Sequence, residues 1–250
     1  MTRTSKSKVL LTRPSGDNEA LADCLTEQGY AVRELPLFDI QLLPETPEQR
    51  ATLMNIDLFH GVVSTSKHAS RALIERLDEF WPQLPVGVKW YAMGSGSAEP
   101  LTASGLEIRL PLQGNTSEDL LAREDLQELK QSKFLLAKGI GGRDLIAGTL
   151  SDRGAQVDTL ELYQRVPVEY SETELQDCLQ LWQPDQIVVL STEALQRLWS
   201  LSAKIGYSLQ STTLVVPSAR VAEAALNYQL SAKVVPTLQD EDVLRTLQQS

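Results

Sequence analysis

The 250-residue chain has two cysteines, two histidines and few aromatic side chains, 6% of the total. Cys24 and Cys178 stand far apart with no Cys-x-x-Cys spacing, and His60 and His68 complete no zinc-binding pattern. Neither a disulfide framework nor a structural metal is therefore expected, and both cysteines read as ordinary helix residues. Long apolar runs are missing too. The first one, Val9-Leu10-Leu11, is cut off by Thr12-Arg13-Pro14, and the basic, Ser/Thr-rich stretch before it, residues 1–8, reads as a frayed tail. That run is too short for a signal-peptide core or a membrane span, so a cytoplasmic protein without membrane contact is expected. Positive charge is scarce: 23 Lys and Arg face 33 Asp and Glu, for a net charge of −10. A nucleic-acid partner would need a basic footprint and is not expected, whereas a small anionic ligand remains compatible, because net charge does not describe a local site. No Gly-x-Ser-x-Gly elbow or His-Glu-x-x-His motif occurs, and two histidines leave little for general-base work.

What the chain does have is an alternation of short apolar runs with longer segments of helical period, the pattern of a parallel α/β protein. Strands are predicted at 9–12, 61–64, 89–93, 134–137, 186–190 and 213–216. Helices follow, among them 18–28, 67–80, 142–153, 193–203 and 220–229. With 42% hydrophobic residues the chain can fill one large core or two of ordinary size.

An internal repeat favours two cores. Sliding the chain on itself by 125 positions aligns residues 8–38 with 133–163 without a gap, and 10 of the 31 pairs are identical. Among them are Leu10/Leu135, Gly16/Gly141, Leu25/Leu150, Gly29/Gly154 and Leu37/Leu162. The same offset carries Ser66 onto Ser191, and with a further shift of two or three positions the Gly94-Ser95-Gly96-Ser97 turn falls near Pro217-Ser218-Ala219. Two related α/β units follow, with residues 35–40 and their repeat mates 160–167 as a pair of extended crossings between them.

In open parallel sheets, ligands bind beyond the carboxyl ends of the strands. The loops there are Arg13-Pro14-Ser15-Gly16, Ser64-Thr65-Ser66-Lys67, Gly94-Ser95-Gly96-Ser97, Lys138-Gly139-Ile140-Gly141-Gly142-Arg143, Leu190-Ser191-Thr192 and Pro217-Ser218-Ala219-Arg220. Their hydroxyls and backbone N–H groups suit carboxylates or phosphates without a strongly basic patch. Ser66, Ser97, Ser191 and Ser218 are equally readable as plain helix N-caps. The loop at 139–142 lacks the Gly-Lys-Ser/Thr ending of a P-loop and the Gly-x-Gly-x-x-Gly spacing of a dinucleotide fold, so nucleotide binding is disfavoured.

The residues resemble one known family. The run from Leu135-Leu136-Ala137-Lys138-Gly139-Ile140-Gly141-Gly142-Arg143-Asp144-Leu145-Ile146 through Arg153-Gly154-Ala155 to Glu161-Leu162-Tyr163-Gln164-Arg165 is similar to the most distinctive stretch of the uroporphyrinogen-III synthases. Val9-Leu10-Leu11-Thr12-Arg13-Pro14, Ser64-Thr65-Ser66, Asn115-Thr116-Ser117-Glu118-Asp119-Leu120-Leu121 and Ser218-Ala219-Arg220-Val221-Ala222 match in order, so the likeness covers nearly the whole chain. Lys138 stands where the bacterial pattern usually has Arg, and Ile140 where Asn is common.

The resemblance implies an α/β fold of two similar parallel-sheet domains joined by a two-stranded connector, the first domain discontinuous (1–35 plus 166–250) and the second inserted (36–165). It also implies a cyclising hydro-lyase of porphyrin and heme biosynthesis. Such an enzyme closes the linear tetrapyrrole hydroxymethylbilane to uroporphyrinogen III, with loss of water and inversion of the last ring. No cofactor or metal is expected, and the protein is expected to be a monomer. By resemblance Tyr163 is the catalytic residue, bonded to the leaving hydroxyl. Arg13, Ser66, Ser97, Lys138, Gly141, Gly142, Arg143, Ser191 and Ser218 are the substrate-binding set. The alternative reading is a two-domain protein that binds an anionic ligand without catalysis.

Overall fold

The computed structural model describes residues 7–114, 116–141 and 144–249. The chain forms two compact units, one built from Met1–Asp39 with Val166–Ser250 and the other from Ile40–Arg165.

The first unit holds β1 (Lys8–Leu11), α1 (Glu19–Glu27) and β2 (Ala31–Glu34). After the excursion into the second unit come α7 (Glu172–Leu175), β9 (Gln186–Val188), α8 (Thr192–Lys204), β10 (Thr213–Val216), α9 (Ala219–Leu226), β11 (Ser231–Val234) and α10 (Asp240–Gln248). Its five strands are all parallel, in the order β11-β10-β9-β1-β2. Numbered along the chain within the unit, that order is 2-1-3-4-5, the flavodoxin-like arrangement. The central strands are buried on both faces, which is why they read as unbroken apolar runs. Alternate residues serve opposite layers: Leu10, Ile187 and Leu214 pack on one face, Val9, Val188 and Val215 on the other.

The second unit holds most of β3 (Phe38–Leu42), then α2 (Pro47–Met54), β4 (Gly61–Ser64), α3 (Lys67–Leu77), β5 (Lys89–Ala92), α4 (Ser95–Ala103) and β6 (Ile108–Arg109). It continues with α5 (Ser117–Leu121), β7 (Lys133–Gly139), α6 (Leu145–Asp152) and β8 (Gln156–Pro167). Its sheet runs β3-β8-β7-β4-β5-β6, and β8 through β6 are mutually parallel. Within that parallel part the chain order is 5-4-1-2-3, the same arrangement circularly permuted. The repeat mates therefore occupy equivalent places: β1-α1-β2 matches β7-α6-β8, and the packing layers match with them. Gly16 and its mate Gly141 have φ of 81° and 79°, and Gly29 and Gly154 have 90° and 97°. Only glycine takes these left-handed conformations without strain, so the repeat keeps its backbone shape where the side chains diverge.

The crossing expected at 35–40 overlaps β3 only from Phe38, and the one expected at 160–167 is the second part of β8; these two strands pair at the sheet edge. Val168 N–H donates to the Leu37 carbonyl and Leu43 N–H to the Leu162 carbonyl, so numbers rise on one strand as they fall on the other and this pair is antiparallel.

The structure corrects several expected boundaries. Lys8, placed in the tail, opens β1, and the Ser7 carbonyl before it already accepts the Ala31 N–H; residues 1–6 of the expected tail lie outside the described residues. The strand expected at 186–190 ends at Val188, and the helix expected from 142 begins at Leu145. The helix expected to reach 80 stops at Leu77, and the one expected to reach 229 stops at Leu226. Cys24 lies in α1, while Cys178 sits in a π-helical turn, Gln176–Leu181, that continues α7. No helix among the described residues is long and apolar enough to cross a membrane.

Candidate functional site

Each sheet has one place where the chain reverses its direction of travel across the strands, and ligand crevices of open α/β sheets form there. In the first unit it lies between β1 and β9, in the second between β4 and β7.

In the second unit the point is closed by a threonine and furnished by a tyrosine. Thr65, just past β4, donates from both its N–H (3.1 Å) and its Oγ1 (3.3 Å) to the Ala137 carbonyl of β7. The β7–β8 ladder slips next to it: Lys138 faces Glu161, but Gly139 faces Tyr163. The extra residue is a β-bulge, a device that re-aims the following side chain. Leu162 and Tyr163 consequently both face the same apolar layer, against the two-residue alternation of a regular strand. Gly139 is the seat of the ring: a Cβ there would lie 2.6 Å from Tyr163 Cζ. His68 meets the ring edge-on, with centroids 5.7 Å apart and planes at 62°. The half-buried phenol oxygen lies 3.0 Å from Ser66 Oγ.

Ser66 is held independently. It is the N-cap of α3, in extended conformation, and its Oγ accepts the Ala69 N–H at 3.1 Å. The backbone N–H of Ile140 donates to the Tyr163 carbonyl at 2.7 Å, which ties the glycine loop to the same strand. Lys138 is 9% exposed, and its Nζ reaches Asp144 Oδ1 at 3.3 Å, although that carboxylate is itself 89% exposed. Gly141 lies in this loop on the surface; Gly142 and Arg143 lie outside the described residues.

Ser97 departs from expectation. The N-cap of α4 is Gly94, and Ser97 sits inside the first turn, where its carbonyl accepts from Ser70 Oγ at 2.5 Å; Ser70 Oγ is in turn 2.7 Å from Ser64 Oγ. The N-caps Gly94 and Ser218 are 124 positions apart, one short of the repeat offset, so Gly94 rather than Ser97 is the structural counterpart of Ser218.

In the first unit Ser191 repeats the geometry of Ser66, capping α8 through the Ala194 N–H at 3.0 Å. Ser218 precedes α9 in the same extended conformation, but its side chain makes no capping bond. Thr12 Oγ1 donates to the Val188 carbonyl at 2.6 Å across the reversal point. Arg13, the repeat mate of Lys138, is largely committed: its guanidinium reaches Asp240 Oδ1 at 3.3 Å and the carbonyls of Asp17 and Leu238. Phe38 occupies the place of Tyr163 in this unit's apolar layer and brings no hydroxyl.

Two concavities, of about 210 and 360 Å³, lie elsewhere on the second unit, beside Arg76 and beside Asp125. Neither includes Tyr163, and each is walled by ion-paired side chains; the convergence of hydroxyls, not depth, marks the candidate site. At the second, burial alone would raise the Asp125 carboxyl, but hydrogen bonds from Arg123, Arg109 and Tyr91 outweigh it and hold the group at about 2. Sequence reasoning missed Gly139 and His68 as parts of the tyrosine seat. The ladder slip that brings Gly139 to Tyr163 has no sequence mark.

Fold and site together define an α/β protein of two permuted, repeat-related units, with one unit carrying a seated tyrosine at its chain-reversal point. A family model described as "Uroporphyrinogen-III synthase HemD" matches residues 5–244. The chain belongs to the uroporphyrinogen-III synthase family. It is 34% identical over 248 residues to the Escherichia coli K12 uroporphyrinogen-III synthase, covering 96% of this chain and 99% of that one. It is 36% identical over 251 residues to the Salmonella typhimurium enzyme of the same name, with the same coverage. Among solved structures, a mutant uroporphyrinogen-III synthase from Thermus thermophilus shares the fold, with TM-score 0.62 and 18% identity over 98% of this chain and all of that one. A uroporphyrinogen-III synthetase from Helicobacter pylori shares it at TM-score 0.60 and 12% identity, covering 97% and 98%.

Proposed function

We propose that this chain closes hydroxymethylbilane to uroporphyrinogen III, releasing water and inverting the last pyrrole ring, as a hydro-lyase of porphyrin biosynthesis. The family match across residues 5–244 carries the reading. The terminal hydroxyl departs with its bonding electrons while a neighbouring pyrrole nitrogen supplies an electron pair. The last ring then attacks through its substituted carbon, and a spiro intermediate opens and recloses inverted. The proton lost from that ring balances the departing hydroxide as water.

Because the substrate furnishes the electrons, the protein's share is positioning and differential binding. Tyr163 is the residue that bonds the departing hydroxyl. Lys138, Gly141, Gly142 and Arg143 are assigned to substrate acetate and propionate groups, as are Ser97, Ser191 and Ser218 through their helix-terminal turns. Arg13 serves such a group only if it gives up Asp240, so it is ranked below Lys138. The protein is assigned to the cytoplasm as a monomer that works without a cofactor.

The test is incubation with hydroxymethylbilane, without added metal or cofactor, followed by separation of the product isomers. The type III isomer is expected to dominate. Isomer I alone, at the rate seen in buffer, would refute the assignment, and tight binding of the bilane without conversion would favour a ligand-binding protein.

A further inference from the structure

Ser66 was expected from sequence to bind substrate, yet its Oγ is already engaged twice, by the Ala69 N–H at 3.1 Å and by the Tyr163 hydroxyl at 3.0 Å. A serine oxygen has one proton and two lone pairs. The Ala69 N–H occupies one lone pair, which leaves the proton and the other lone pair, and either of these can meet the phenol. The phenol has a single proton. If that proton goes to the departing oxygen of the substrate, the bond between the two side chains persists only with Ser66 as donor and the phenol oxygen as acceptor. Accepting a hydrogen bond strengthens a hydroxyl as a donor, since linked hydrogen bonds polarise one another. The ring cannot slide to find another partner, because Gly139 backs it and His68 meets its edge. The first unit supplies the contrast: Ser191 repeats the cap, but Phe38 stands where Tyr163 would be and offers no hydroxyl.

From this geometry, and resting on the activity proposed above, we infer that Ser66 is a positioning residue that acts through Tyr163, donating to the phenol oxygen so that the phenol proton points at the leaving group. Ser66 does not then touch the substrate. The prediction is a pattern of coupling between two substitutions. Ser66→Gly removes the hydroxyl while leaving a residue tolerated at an N-cap. It should lower kcat about tenfold with little change in KM, as expected for an interaction made only in the transition state. Tyr163→Phe should cost about tenfold to a hundredfold. The double variant should be no slower than Tyr163→Phe alone, because Ser66 has nothing left to orient. Ser66→Thr, which keeps both cap and hydroxyl, should restore most of kcat. Losses that multiply in the double variant, or a Ser66→Gly effect confined to KM, would overturn the inference.

A second arm does not depend on turnover. The Raman tyrosine doublet of Tyr163, isolated as the difference between the protein and its Tyr163→Phe variant, should change on Ser66→Gly. An unchanged doublet would show that the two hydroxyls are not bonded in solution and would overturn the inference by itself. Isomer I alone from the unmodified protein would instead refute the proposed activity, while the Raman arm still decided the hydroxyl pair.

Discussion

Gly139→Ala is the smallest change that should displace the tyrosine without touching it. No left-handed φ marks Gly139, so alanine meets no backbone obstacle there. The conflict is with the ring alone: the new methyl would lie 2.6 Å from Tyr163 Cζ, 2.7 Å from Cε2 and 3.0 Å from Cε1. Ordinary carbon contacts are about 3.5–4.0 Å, so the ring must retreat by roughly 1 Å. Such a shift at the phenol takes its oxygen out of hydrogen-bond range of Ser66, because the present separation is already 3.0 Å. Overpacking of this kind costs about 1–3 kcal/mol, and a 1 Å misplacement of a reacting group costs up to about a hundredfold in rate. Two measurements check this: thermal denaturation, where the midpoint should fall by roughly 2–12 °C for a chain of this size, and steady-state conversion of hydroxymethylbilane with resolution of the product isomers. In a Tyr163→Ala background, Gly139→Ala should cost almost no stability, since the clashing ring is gone. Wild-type kcat in Gly139→Ala, or the same destabilisation with and without the tyrosine ring, would refute the seat described for Tyr163.

Three further outcomes follow from other parts of the molecule. The Asp125 carboxyl is held at about 2 in the folded protein, below its unfolded value near 3.9. The stability it contributes is therefore present above about pH 4 and lost as the pH falls from about 4 to about 2. Urea denaturation at several pH values should show a shallower decline over that window for Asp125→Asn than for the unmodified protein; equal slopes would contradict the assignment. Burial pushes the Cys178 thiol up to about 11, and Cys24 is only partly covered, so a thiol reagent at neutral pH should label the native protein at Cys24 and leave Cys178 until unfolding. Peptide mapping that finds Cys178 labelled first would refute this. Gln229, with φ of 58°, follows α9 in a conformation that costs a side-chain-bearing residue about 1–2 kcal/mol. Gln229→Gly should raise the thermal midpoint by a few degrees, less the added freedom of the unfolded chain; a lowered midpoint would count against strain there.

The central strands were legible because burial on both faces forces unbroken apolar runs: Gly61–Ser64 and Thr213–Val216 match their predicted limits. Edge strands were not. Ala31–Glu34 and Ser231–Val234 carry an Arg, a Glu and a Lys among partly exposed positions, so no apolar run announces them. The repeat was legible because Gly16, Gly29 and their mates are fixed by backbone geometry, which leaves a mark in sequence. The site was legible only residue by residue. The bond between Ser66 and Tyr163 spans 97 positions, and the capture of Arg13 by Asp240 spans 227. Neither is visible in local spacing. The N-cap reading of Ser97 failed for another reason: Gly94, Ser95, Gly96 and Ser97 all suit a helix start, and only the backbone shows which of them caps it.

The insertion of the second unit between β2 and β9 also sets a timetable for synthesis. β1 lies between β2 and β9 in its sheet, with Leu10 opposite Ile187. On the ribosome the chain must grow by roughly 175 residues, from β1 to β9, before that second neighbour exists; at about 5–20 residues per second this is a wait on the order of 10–35 s. The unit Ile40–Arg165 is complete before then and has all six strands of its sheet within or beside its own span. The nascent protein thus passes through a stage in which one unit can already be folded while Val9, Leu10 and Leu11, fully buried in the finished molecule, are still uncovered on one side. A cell short of chaperones would meet this chain first through its amino-terminal strand.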